Sequence, residues 1–135
     1  MKDRFFLDSN ILIYCYTSTE PDKQTKAKAV ANLPKVLIST QVLKEFVNTL
    51  SKKFKLDWSI IQLTIDELEG NFAVHINTAS TIKKACLIAE RYRFSFYDSL
   101  IIAAALESDC AILYSEDMQH EQIIDDTLTI INPFR

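Results

Sequence analysis

The sequence predicts an α/β protein: a three-layer α/β/α sandwich around a short central parallel sheet. Three observations carry that expectation. Short, continuously apolar runs recur along the chain, and segments with helical spacing of their apolar residues follow them. Strands apolar on both faces belong to parallel sheets covered by helices on each side. The 135 residues, nearly half of them hydrophobic and only one a glycine, suit a single helix-rich domain spanning residues 1–135, with a core that needs no disulfide.

The elements follow in order. Residues 4–7 form a first strand. Ser9 and Asn10 are good capping residues ahead of a short helix, Ile11 to Tyr14. Pro21 opens a helix over 21–32, and Pro34 breaks it. Val36 to Ile38 is a second strand, after which Ser39 or Thr40 caps a helix over 41–53. In that helix Leu43, Phe46, Val47 and Leu50 make an apolar stripe at i, i+3, i+4, i+7. Gln41, Glu45, Asn48 and Lys52 make a polar one. Asp57 caps a helix over 58–69, and residues 72–75 are a third strand. The helix over 79–92 turns Ile82, Ala85, Cys86 and Ala89 inward. Ser95 caps a helix over 96–108 that is apolar nearly all round and therefore central. Strands at 111–114 and 128–131 finish the sheet, and Pro133 stops the last one.

Composition excludes several functions. One glycine, Gly70, rules out the Gly-rich phosphate loops of nucleotide-binding folds. Turns must then come from Asn, Asp, Ser and Pro. A net charge of −3 argues against a simple electrostatic nucleic-acid binder. It is compatible with an enzyme whose carboxylates are masked by a cation. Cys15, Cys86 and Cys110 form no C-x-x-C pair and are expected to be buried free thiols in a reducing cytoplasm. The apolar run at 99–106 is too short to span a bilayer, and Met1 to Arg4 begin no signal peptide.

Four acids stand where acids are least expected. Asp8 ends an apolar strand, Glu45 lies in an amphipathic helix, Asp98 heads an apolar helix and Asp117 follows another apolar strand. A carboxylate against a core costs free energy unless something neutralises it. One divalent metal neutralises all four at once, and oxygen-only ligands favour Mg²⁺ or Mn²⁺. Ligands of open parallel sheets collect beyond the carboxyl ends of the strands, where Asp8 and Asp117 lie. Phosphodiester hydrolysis is the chemistry that uses such a site. Ser9, Asn10 and Ser115 are placed to orient the carboxylates or water. Lys52 and Asn48 are candidate RNA contacts, within a basic cluster of Lys52, Lys53 and Lys55.

Four blocks carry a family resemblance. They are Phe6-Leu7-Asp8-Ser9-Asn10, Leu43-Lys44-Glu45-Phe46-Val47-Asn48, Phe96-Tyr97-Asp98-Ser99-Leu100-Ile101 and Leu113-Tyr114-Ser115-Glu116-Asp117-Met118. In this order they resemble the signature blocks of PIN-domain ribonucleases, and more narrowly of VapC-like toxins. The resemblance implies a Mg²⁺- or Mn²⁺-dependent endoribonuclease with Asp8, Glu45, Asp98 and Asp117 as catalytic, metal-binding acids. Asn10 and Ser115 support them. It further implies a tRNA or ribosomal RNA target, a cognate antitoxin and a homodimer. Glu116 competes with Asp117 for the fourth position, and Glu121 stands where relatives often carry glycine.

Each acid has a bland reading alone: Asp8 as a helix cap, Glu45 as a solvated helix residue, Asp117 as a loop acid. Trp58, Phe94, Phe96 and Tyr97 serve either base stacking or packing. Leu56, Trp58, Ile61 and Leu68 are candidates for a dimer or antitoxin surface. Two rival functions stand beside the nuclease. One is a non-catalytic PIN-like module that binds RNA or protein. The other is a phosphoryl-transfer enzyme with Asp8 as nucleophile, which Ser9 and Asn10 fit poorly.

Overall fold

The computed structural model describes residues 3–135. The expectation about a signal peptide falls partly on Met1 and Lys2, which lie outside the described residues. The elements are β1 (Phe5–Leu7), α1 (Ser9–Tyr16), α2 (Pro21–Ala31), β2 (Val36–Ser39), α3 (Thr40–Lys52) and α4 (Trp58–Asn71), followed by β3 (Ala73–His75), α5 (Ala79–Tyr92), α6 (Phe96–Glu107), β4 (Ile112–Tyr114), β5 (Ile123–Ile124) and β6 (Leu128–Ile131). The sheet order is β3-β2-β1-β4-β6-β5. All neighbours pair in parallel except β5, which runs antiparallel to β6.

This order fixes the layers. From β1 the chain steps outward to β2 and β3, with α1–α2 and α3–α4 as connections. It then returns through α5 and α6 to β4, on the other side of β1. Parallel crossovers are right-handed, so reversing direction moves the connecting helices to the opposite face. Three layers result, as expected. The reversal also opens a crevice between the carboxyl ends of β1 and β4, where open sheets of this kind bind ligands.

The core fills both sides of the sheet. Phe6, Leu7, Ile38, Leu113 and Ile130 come from the strands, with Ile11, Phe46 and Leu50 from α1 and α3 and Ile101 and Ile102 from α6, all fully buried or nearly so. Each such side chain contributes about 1.5–3 kcal/mol. In α6 every residue from Ser99 to Leu106 is buried, which accounts for its apolar circumference.

Several expectations are corrected. The N-cap of α1 is Asp8, whose side chain accepts from the Ser9 amide, so Ser9 and Asn10 become helical residues. On α5 the buried stripe is Thr81, Ala85 and Ile88, whereas Ile82 and Cys86 are exposed. Thr81 tolerates burial because its hydroxyl donates to Glu107 at 2.6 Å and completes a capping box with Thr78. Of the three thiols only Cys110 is buried; Cys15 is half-buried and Cys86 exposed. Ile61 and Leu68 belong to the core, so they form no outer surface. Leu56 and Trp58 are exposed, joined on α4 by Ile60 and Leu63.

The turns solve the shortage of glycine in an unexpected way. Lys35, Lys55, Arg93, Asp109, Glu121, Asp125 and Asp126 all adopt positive φ. Gly70 sits inside α4 with open space where a Cβ would stand, so no turn depends on it. Among the described residues no helix is long and apolar enough to cross a membrane.

Candidate active site

Asp8 follows β1 directly and is 3% exposed. Its Oδ1 accepts from the Ser9 amide at 2.6 Å, and its Oδ2 accepts from Ser115 Oγ at 2.8 Å. Burial is the main reason its carboxyl is pushed up to about 7. The Ser115 and Ser9 hydrogen bonds pull the other way, and the charges of Glu45 and Asp98 push it further up. A carboxylate in this position is an unpaid desolvation cost unless a cation joins it.

Ser9 Oγ links Asp8 to α3 by donating to Glu45 Oε1 at 3.0 Å. Gln41, one turn earlier on α3, donates to Glu45 Oε2 at 2.9 Å. Both oxygens of Glu45 are therefore oriented by neutral donors, one on α1 and one on its own helix. The polar stripe expected on α3 begins with this pair.

Asp98 stands in the first turn of α6, and its amide donates to the N-cap Ser95 Oγ at 3.2 Å. Its pKa is raised by burial first, against the Ser95 hydrogen bond, with the charge of Asp117 adding to the rise. The electrostatic links run from Asp8 to Glu45, from Asp8 to Asp98 and from Asp98 to Asp117. All four sequence-predicted acids thus share one edge of the sheet. They are neighbours in field rather than in contact. Among the described residues no group of three or more His, Cys, Asp or Glu side chains is gathered closely enough to hold a metal ion as it stands.

The segment after β4 separates Glu116 from Asp117. Asn10 on α1 grips it twice, accepting from the Glu116 amide at 3.3 Å and donating from Nδ2 to Asp117 Oδ2 at 3.1 Å. Ser115 Oγ also accepts from the Asp117 amide at 3.3 Å. Glu116 turns to the other side. Its Oε1 accepts from the Tyr14 hydroxyl at 2.7 Å, and its Oε2 pairs with Lys23 Nζ of α2. Burial pushes the Glu116 carboxyl up, but the Lys23 and Tyr14 hydrogen bonds outweigh it and hold the group below its ordinary value. Lys23 lies over the rings of Tyr14 and Phe134. This clamp escaped the sequence reading because Lys23 and Glu116 are 93 positions apart.

The remaining predicted contacts disperse. Asn48 lines a groove between α3 and α4 with Leu43, Val47, Trp58 and Ile65. Lys52 is exposed in the last turn of α3. A different pair, Thr49 on α3 and its C-cap Lys53, lines the cleft that holds Ser9, Asn10 and Asp117. Their signal was available, since Glu45, Thr49 and Lys53 recur every fourth residue. Phe96 and Tyr97 are exposed beside Asp98, with ring centres 5.8 Å apart, whereas Phe94 packs against the core. Both histidines are engaged elsewhere: His75 with Glu107, and His120 with Asn132 and Glu121.

The family model for the PIN domain matches residues 5–124. No curated protein matches the chain in sequence. Solved structures match it in fold. A toxin–antitoxin complex from Klebsiella pneumoniae is 19% identical with a TM-score of 0.71, over 95% of this chain and 96% of that one. VapC20 of Mycobacterium tuberculosis, described as a sarcin–ricin loop cleaving toxin, is 18% identical with a TM-score of 0.68, over 81% and 86%. VapBC2 from Rickettsia felis, bound to a promoter DNA fragment, is 17% identical with a TM-score of 0.66, over 95% and 98%. At these identities the likeness is one of fold.

Proposed function

Because the chain belongs to the PIN-domain family, we propose that it is a divalent-metal-dependent endoribonuclease and the toxin of a toxin–antitoxin pair. The observation that carries this is Asp8. It is a buried carboxylate whose hydrogen bonds come from a serine hydroxyl and a backbone amide, in the field of two further acids. The donor set fits a hard cation, since it consists of carboxylate oxygens with neutral groups holding them. Asp8, Glu45, Asp98 and Asp117 would hold Mg²⁺ or Mn²⁺. Such an ion supplies an activated water and offsets charge on the phosphate in phosphodiester hydrolysis.

The chain's own residues prepare that site. Ser115 and Ser9 fix the two oxygens of Asp8, Ser9 and Gln41 fix those of Glu45, and Asn10 aims Asp117. Lys23 and Tyr14 withdraw Glu116, which leaves Asp117 as the fourth acid. Such partners fix how each carboxylate is turned before an ion arrives.

Residues 1–135 act as one nuclease domain in this reading. The toxin–antitoxin complexes among the similar structures support a cognate antitoxin as partner. The sarcin–ricin loop cleaving toxin supports an RNA substrate; a tRNA or ribosomal RNA target, a homodimer and a cytoplasmic location are what the resemblance to VapC-like toxins implies. Replacing Asp98 by Asn is expected to abolish RNA cleavage while circular dichroism shows an unchanged melting transition. Undiminished cleavage would refute the assignment.

A second reading, a non-catalytic PIN-like RNA- or protein-binding module, draws on the lack of a ready-made cluster of three acids among the described residues. Titration with Mn²⁺ separates the two. A folded chain that takes up no Mn²⁺ at millimolar concentration favours the module.

A further inference from the structure

We propose that Lys53 binds a backbone phosphate of the RNA strand held at the acidic edge. The inference rests on the nuclease reading and names a substrate contact in addition to the acids. The cleft adjoins Asp117, has a volume of about 260 Å³, and is lined among others by Ser9, Asn10, Thr19, Thr49 and Lys53.

Charge gives Lys53 its place. A strand entering an edge with four acids, on a chain of net charge −3, meets repulsion that the acids cannot relieve. Lys53 is the basic side chain on this wall of the cleft. It stands eight residues beyond Glu45 on the same helix, at its C-cap. That is about 12 Å along the axis, so the phosphate it meets lies beyond the one nearest Glu45. The ammonium lies over the ring of Phe54, 5.5 Å from its centre, and Phe54 lines the cleft too. A cation held over an aromatic face is kept at the wall instead of ranging through solvent. Thr49, one turn before Lys53, adds a hydroxyl to the same wall. Lys52 and Lys55 are not among the lining residues.

The test measures binding, so it does not depend on turnover. Asp98→Asn protein in Mg²⁺ is titrated into a short fluorescent single-stranded RNA at several salt concentrations, with and without Lys53→Met or Lys53→Arg. Lys53→Met is expected to raise Kd about tenfold, the worth of one charge-assisted hydrogen bond. It should also reduce the slope of log Kd against log salt by about 0.7, as for one phosphate contact on a single strand. Lys53→Arg should restore both. Unchanged Kd and slope in Lys53→Met overturn the assignment. Cleavage by the protein with Asp98 intact is scored in parallel. Intact cleavage without Lys53-dependent binding sinks the phosphate subsite alone. Lys53-dependent binding without any cleavage in Mn²⁺ sinks the nuclease and leaves the subsite standing.

Discussion

Asp8 should make the metal-free protein less stable as pH rises. Its carboxyl is raised from 3.8 to about 7 in the fold, so it holds its proton more tightly folded than unfolded. Folding then takes up a proton between those two values. The stability linked to the neutral form is fully present below 3.8 and is lost as pH climbs through about 7. At 1.36 kcal/mol per unit the loss amounts to about 4 kcal/mol, a large part of a small domain's total of about 5–15 kcal/mol. Asp8→Asn keeps the shape, offers an oxygen to the Ser9 amide and cannot ionise. Urea denaturation of both proteins in EDTA, from about pH 4 to about pH 8, measures the difference directly. The variant should gain on the parent across that window and be the more stable of the two at the upper end. Mg²⁺ or Mn²⁺ should then stabilise the parent and not the variant. A difference that stays flat with pH would refute the burial argument.

Other substitutions test the packing. Leu68→Ala should cost about 2–5 kcal/mol in urea denaturation, as expected for a fully buried leucine, whereas Trp58→Ala on the same helix should change stability by less than about 0.5 kcal/mol. Glu121 has φ of 69°, and Glu121→Gly should raise stability by up to about 1 kcal/mol in thermal denaturation; a fall would show that its pairing with His120 outweighs the backbone strain.

Much of the framework was legible because it is written in local signals. The strands are apolar runs, Pro21 starts α2, and Ser39 and Ser95 cap α3 and α6 as their sequences suggest. The four acids were legible because each breaks an apolar context. What escaped depends on partners far along the chain. The inward face of α5 was misplaced because Thr81 looks polar until Glu107 and Thr78 are brought beside it. Ile61 and Leu68 looked available as surface because α4 also carries exposed Trp58, Ile60 and Leu63. Strand β5 is only two residues long and is followed by Asp125 and Asp126, so no alternation marks it. The choice between Glu116 and Asp117 was open in the sequence; the side-chain directions follow from Asn10, Tyr14 and Lys23.

The Lys23–Glu116 pair fastens α2 to the segment after β4. α2 buries little, with Ala27 its one fully buried residue, so it is an element that can loosen while the sheet stays whole. Its loosening would reach Glu116 through Lys23, whose ammonium also meets the Tyr14 hydroxyl and the Phe134 ring, ahead of any change in the hydrophobic interior. The acidic edge therefore has a mechanical neighbour: a helix with little buried surface whose attachment keeps Glu116 turned away from Asp117.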